Sequence, residues 1–153
     1  MVACLVAAAS EGNVADVTRL VEEGVDINAQ NTGGATALMI AVQGGKLDVA
    51  RLLVEKRAGL EVKDEAGHTA LMYASQYGHA DMVELMLRRG ANIKATDKTD
   101  ATALFFASAF GRPEAARILI EKGADVNAKN HQGGTALMAA AQEGHGGTVG
   151  VGW

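Results

Sequence analysis

Four histidines and one cysteine are the side chains best suited to catalysis or metal binding: His68, His79, His131, His145 and Cys4. A metal site needs several such ligands at matching spacing, and a thiol nucleophile needs a base beside it. The sequence offers neither. His68 and His131 fall at turn tips in different repeats, far from any carboxylate pair with ligand spacing, and Cys4 has no histidine near it in sequence. Glu22, Glu23, Glu55, Glu84 and Glu121 are scattered and read as solvated outer faces. No paired carboxylates point to acid–base work, and no glycine loop is spaced to cradle a phosphate. The expectation is a non-enzyme with no catalytic residues, no metal and no cofactor.

Aromatic residues are what the chain concentrates. Five of its six fall within residues 73–110. Tyr73 and Tyr77 are spaced i and i+4, which puts both on one helix face. Phe106 and Phe110 hold the same two positions 33 residues later. Stacked units would bring these four rings into one patch, and clustered exposed rings are typical anchors of protein interfaces.

The elements that carry these rings repeat. Thr-Ala-Leu begins at Thr36, Thr69, Thr102 and Thr135, each step being 33 residues. Glycine recurs at the same interval at Gly12, Gly45, Gly78, Gly111 and Gly144. An aliphatic residue does so at Ile27, Leu60, Ile93 and Val126. Such a period marks a stack of supersecondary units. Residues 69–97 show one unit. Thr69 suits an N-cap, and Leu71, Met72, Ala74 and Ser75 follow at helical spacing. Gly78 ends that helix and His79-Ala80-Asp81 opens a second, capped by Gly90. Asp48, Asp81 and Glu114 place a carboxylate at the start of second helices, where it complements the helix dipole. One unit cannot bury its own apolar stripe, but stacked neighbours can, so the chain reads as an all-α solenoid.

Gly67-His68-Thr69-Ala70-Leu71, Gly78-His79 and Gly123-Ala124-Asp125-Val126-Asn127-Ala128 resemble the ankyrin repeat. The resemblance implies one domain over residues 1–145, with repeats at about 1–30, 31–63, 64–96, 97–129 and 130–145. A Gly-rich tail follows at 146–153, and the last repeat is truncated. It also implies a protein-interaction module that docks its partner on a concave face of first helices and turn tips. Carried onto this sequence, that face contains Gln43, Tyr73, Gln76, Tyr77, Phe106, Phe110 and Gln142. His68 and Lys98 join them from the tips, with Thr32, Ala35, Glu65, Thr99, Ala101, His131 and Gln132 alongside. Lys98 beside Asp97 and Asp100 gives a mixed-charge rim. Asn28 and Asn127 match positions that the family can present for hydroxylation, although a side chain bonding loop backbone is the structural reading.

The chain departs from the family's Thr-Pro-Leu-His signature. Ala37, Ala70, Ala103 and Ala136 replace the proline, and Met39, Met72, Phe105 and Met138 replace the histidine. The latter four are expected in the core, packing where the family makes hydrogen bonds. Arg57 stands where Gly24, Gly90 and Gly123 stand, so the loop at 56–60 is expected to be irregular, with Gly59 carrying its turn. The tail, with four glycines in residues 146–153, is expected to be extended or disordered. Val149, Val151 and Trp153 alternate and could lie across the end of the stack. Val2, Leu5, Val6 and Ala9 leave the other end poorly capped, so self-association through the ends is expected.

Composition narrows the classes further. The chain has 153 residues, a net charge of −4 and one cysteine. That balance and the lack of a basic stripe disfavour nucleic acid. No apolar run is long enough to span a membrane. The lone cysteine suits a reducing, intracellular and most simply cytoplasmic setting. The first expectation is a module that binds a protein or peptide. The alternatives are a small enzyme inhibitor of the kinase-silencing kind and a structural scaffold fragment or engineered array.

Overall fold

The computed structural model describes residues 2–150, and side chains from residue 4 onward. Ten helices pair in chain order: α1 (Val2–Glu11) with α2 (Val14–Glu22), α3 (Ala37–Gln43) with α4 (Leu47–Glu55), α5 (Ala70–Gln76) with α6 (Ala80–Arg88), α7 (Ala103–Ala109) with α8 (Pro113–Glu121), and α9 (Ala136–Gln142) with α10 (Gly146–Val149). The odd-numbered helices stack on one another in sequence, and the even-numbered ones form a second row behind them. The described residues contain no strand, only an isolated antiparallel bridge between Lys129 and Thr135.

Threonine starts four of the inner helices as the period requires. The hydroxyls of Thr36, Thr69, Thr102 and Thr135 accept the amides of Met39, Met72, Phe105 and Met138. Each bond satisfies a donor that helix geometry leaves open. The core runs the length of the stack through Leu5, Leu38, Leu71 and Leu104, with Leu53, Met82 and Leu119 behind them. Its apolar burial stabilises neighbouring pairs jointly.

Two further ties join each repeat to the next. One lies at the loop tips. Asn31, Asp64, Asp97 and Asn130 each accept two backbone N–H groups of their own loop on Oδ1. The loops so shaped then bond one another, through Glu65 N–H to Gly33 O, Lys98 N–H to Ala66 O and His131 N–H to Thr99 O. The other tie lies where the first helix of each repeat ends. Lys46, His79, Arg112 and His145 lie over Gly12, Gly45, Gly78 and Gly111 of the preceding repeat. A Cβ on Gly78 would sit 2.8 Å from Arg112 Cδ and displace that side chain, and the φ of +74° favours glycine there in any case. Arg112 Nε donates to Gln76 O at 2.9 Å, and His145 Nε2 lies 3.0 Å from Ala109 O. Both side chains meet carbonyls at the C-terminal end of an inner helix, where helix geometry leaves acceptors open.

Several expectations are corrected. Arg57 itself takes the left-handed conformation, with φ 67°, and Gly59 does not. Gly59 instead donates its N–H to Asn28 Oδ1 at 2.6 Å, where a Cβ would crowd Asn28 and Val62. That bond also bears out the structural reading of Asn28. Residues 146–149 form a helix despite their glycines, because His145 anchors the turn and Thr148 is buried against the stack. Met39 and Met72 are core residues, but Phe105 is half-buried and Met138 is 57% exposed. No repeat follows α9 among the described residues to cover Met138. Met72 is not purely apolar either: its sulfur accepts the Thr69 N–H at 3.5 Å. At the other end Leu5 and Ala9 are fully buried. The side chain of Val2, with Val151 and Trp153, lies outside the described residues.

Candidate functional site

An open pocket of about 720 Å³ lies between the first two inner helices and the first tip, lined by Val6, Ala7 and Ser10 of α1, Gln30 to Thr32 of the tip, and Ile40 of α3. Further along, the aromatic residues of α5 and α7 occupy the same register, 33 and 66 residues beyond Ile40 and Gly44.

The four rings divide into two roles. Tyr77 and Phe110 are 41% and 46% exposed. Tyr73 and Phe106 are half-buried against the core, so the expected patch of four open rings is reduced to two. The difference is physical: Tyr77 and Phe110 are the C-caps of α5 and α7, whereas Tyr73 and Phe106 lie a turn deeper, against the tip loops.

His68 holds the deeper pair. Its imidazole meets Tyr73 and Phe106 edge-on, at 5.3 and 5.1 Å between ring centres. Its Nδ1 faces the Tyr73 hydroxyl at 3.3 Å, and its Nε2 lies 3.2 Å from Asp97 Oδ2. The Tyr73 hydroxyl donates to Asp64 Oδ2 in a short hydrogen bond. The fold and the stack bring Asp64 and Asp97 to either side of His68. Its two nitrogens face different carboxylates rather than converging with them on one point. Among the described residues no group of three or more His, Cys, Asp and Glu is arranged to hold a metal ion.

Electrostatics follow from this geometry. Burial alone would raise the Asp97 carboxyl. The Thr99 hydroxyl, the Ala101 and Thr99 amides and the nearby His68 outweigh it and hold the group below its ordinary value. Burial, followed by the bond to Asp64 and its charge, pushes the Tyr73 phenol far above its ordinary value, with a contact from Gln43 opposing.

The remaining expected residues are placed as follows. Gln43 is half-buried beside Tyr73, and Gln76 is half-buried with its carbonyl held by Arg112. Gln142 on α9 and Lys98 at a tip are exposed, apart from the His68 cluster. Asp97 is buried and so does not belong to a charged rim, and Ala35 and Ala101 are likewise buried rather than presented at the tips. Tyr77 stacks on His79 with ring centres 6.4 Å apart.

Asp64 is as central as His68: it accepts the Tyr73 hydroxyl and the His68 backbone N–H. Its signal was present as the series Asn31, Asp64, Asp97 and Asn130, spaced by 33. The series Lys46, His79, Arg112 and His145 is likewise spaced by 33, and each of these side chains reaches back over a glycine of the preceding repeat.

Helix pairs with capped loops at this period are a repeat-solenoid design. Family comparison agrees: ankyrin repeats (3 copies) match residues 5–97, and ankyrin repeats (many copies) match residues 104–149. The chain belongs to the ankyrin repeat family, whose repeats are generally protein–protein interaction modules and typically non-enzymatic. Comparison with curated proteins returns no match. No helix among the described residues is long and apolar enough to cross a membrane.

Proposed function

We propose that the protein binds a partner protein or peptide along the groove between its inner helices and loop tips, without catalysing a reaction. The observation that carries this reading is the pair of exposed rings, Tyr77 and Phe110, standing at matching positions on neighbouring repeats. Rigid aromatic side chains bury a large area at small entropic loss, which is why they dominate interface energetics. Beside them Tyr73, Phe106 and His68 are held against one another, and Tyr77 stacks on His79, so part of the face is ordered before binding. Gln43, Gln76 and Gln142 supply amides along the groove, and Lys98 and His68 supply polar groups at the tips. Few charges lie between them, which favours a partner surface that is apolar and amide-rich over a strongly charged one.

The test begins with capture from lysate and identification of the bound protein by mass spectrometry. The purified pair is then mapped by hydrogen exchange. Protection of α5, α7 and the tips at 65–68 and 98–101 supports the reading. Protection confined to α4, α6 and α8 overturns it. An inhibitor differs from an adaptor only in what the partner does once bound, so an activity assay on that partner separates the two.

A further inference from the structure

We propose that Arg57 and Arg89 form a binding site for a phosphate group, at the outer edge between the second and third repeats and away from the inner-helix face. The first observation is a strain that nothing within the chain offsets. Arg57 holds φ 67° where Gly24, Gly90 and Gly123 stand in other repeats. That conformation is unfavourable for a residue with a long side chain. Among the described residues the guanidinium groups of Arg57 and Arg89 enter no ion pair and no hydrogen bond, whereas those of Arg19, Arg112 and Arg117 do. Strain of this kind clusters at functional positions. Basic residues at helix C-termini complement the dipole, which accounts for Lys56, Arg88 and Arg89. It does not account for Arg57, which lies past the cap of α4 at a position that glycine fills elsewhere.

The second observation is where the two side chains meet. Arg57 and Arg89 line one open pocket of about 460 Å³, with Val54, Ala58 and Leu60 as an apolar wall. The positions of Lys56 and Arg57 are Glu23 and Gly24 in the first repeat and Lys122 and Gly123 in the fourth. No other junction therefore supplies two arginines. The carboxylate that lines the pocket, Glu61, is already engaged: its Oε2 accepts the Asn92 N–H at 2.8 Å. That bond repeats the tie from Asn28 to the Gly59 N–H one repeat earlier, so Glu61 has a role in joining loops. The pocket keeps two cations against one anion, and Lys56 and Arg88 add exposed positive charge beside it. Two guanidinium forks select the ligand. Each fork matches a pair of oxygens on an oxyanion. One fork spans a carboxylate, whereas a phosphate group, with three terminal oxygens, takes two.

The experiment titrates the full chain with inorganic phosphate and with phenyl phosphate, the head of a phosphotyrosine side chain. Backbone amides are followed by NMR at constant ionic strength, so that general screening does not change. The expected result is saturable shifts at residues 54–61 and 89–92, with a Kd below about 10 mM. Tighter binding of phenyl phosphate assigns the site to a phosphorylated aromatic side chain on the apolar wall. Equal or weaker binding assigns it to free phosphate. Arg57→Gly and Arg89→Gln should each weaken binding by about tenfold or more, the loss expected for a charge-assisted pair of hydrogen bonds. Arg57→Gly is decisive because it relieves the strained φ: urea unfolding should show stability kept while binding is lost. Shifts that do not saturate by about 50 mM overturn the proposal. So does an Arg57→Gly variant that binds as tightly as wild type.

Discussion

The Nε2 of His68 lies 3.2 Å from Oδ2 of Asp97, which belongs to the following repeat. One contact thereby joins two tip loops and fixes the two aromatic rings that His68 touches edge-on. Residues in one hydrogen-bonded network are energetically coupled. A double-mutant cycle of His68→Ala and Asp97→Asn, read by urea unfolding, should give an interaction term of about 0.5–2 kcal/mol. Additive effects would show that the contact contributes nothing beyond its parts.

Asp97 also sets an acid limit. Its folded pKa lies below the ordinary 3.8, so the unfolded chain takes up this proton first as the pH falls. The stabilisation is fully present above the unfolded value and is lost as the pH falls through the folded one. Asp97→Asn should therefore flatten the stability profile below about pH 4, relative to wild type. Profiles of identical slope in that range would contradict the assignment.

Tyr73 works in the opposite direction. Its folded pKa is raised above the ordinary 10.0, so stability is fully present below that value and declines as pH rises beyond it. In a Tyr77→Phe variant, absorbance at 295 nm reports Tyr73 alone, since the chain has two tyrosines. The folded protein should show no tyrosinate through the ordinary range, and signal should appear together with unfolding.

Among the described residues two non-glycines hold positive φ: Arg57 at 67° and Asp100 at 62°. Their counterparts in other repeats are glycines, Gly24, Gly90 and Gly123 for Arg57 and Gly34, Gly67 and Gly133 for Asp100. Arg57→Gly should stabilise the protein by about 0.5–1 kcal/mol, the relief of strain exceeding the entropy that glycine adds to the unfolded chain. Asp100→Gly should gain less, because aspartate tolerates this region better than arginine. Thermal unfolding of both variants checks the order.

The lock between repeats makes a further prediction. Arg112→Ala removes both a hydrogen bond to the Gln76 carbonyl and the packing of its stem over Gly78. The expected loss is about 1–2 kcal/mol in urea unfolding. Lys46→Ala, at an exposed position, should lose less than about 0.5 kcal/mol.

The period of 33 made the helix pairs, their threonine caps and most of the core legible, because each depends on residues close in sequence. What depends on stacking was harder to read. The pairing of His68 with Asp97 spans 29 residues and that of Arg112 with Gln76 spans 36, so no local pattern displays either. Met138 repeats the position of Met39 and Met72, but its exposure is decided by a neighbour that its own repeat does not contain. Residues 146–149 were misjudged for a related reason: propensity counts the glycines, while burial of Thr148 and the anchoring of His145 decide the outcome. The candidate site was legible in its residues and not in their depth. Helical spacing put Tyr73 with Tyr77 on one face, but only the tip loop folding over Tyr73 separates the half-buried ring from the exposed one.

The central claim is that the inner face, and not the outer helices, carries binding. With the captured partner purified, its affinity is measured by calorimetry for wild type, for Tyr77→Ala/Phe110→Ala, and for the outer-face control Arg51→Ala/Arg88→Ala. The account predicts a rise in Kd of about tenfold or more for the aromatic pair. It predicts less than about a twofold change for the control, whose side chains are exposed on α4 and α6. An unchanged Kd for Tyr77→Ala/Phe110→Ala beside a large loss for Arg51→Ala/Arg88→Ala would contradict it.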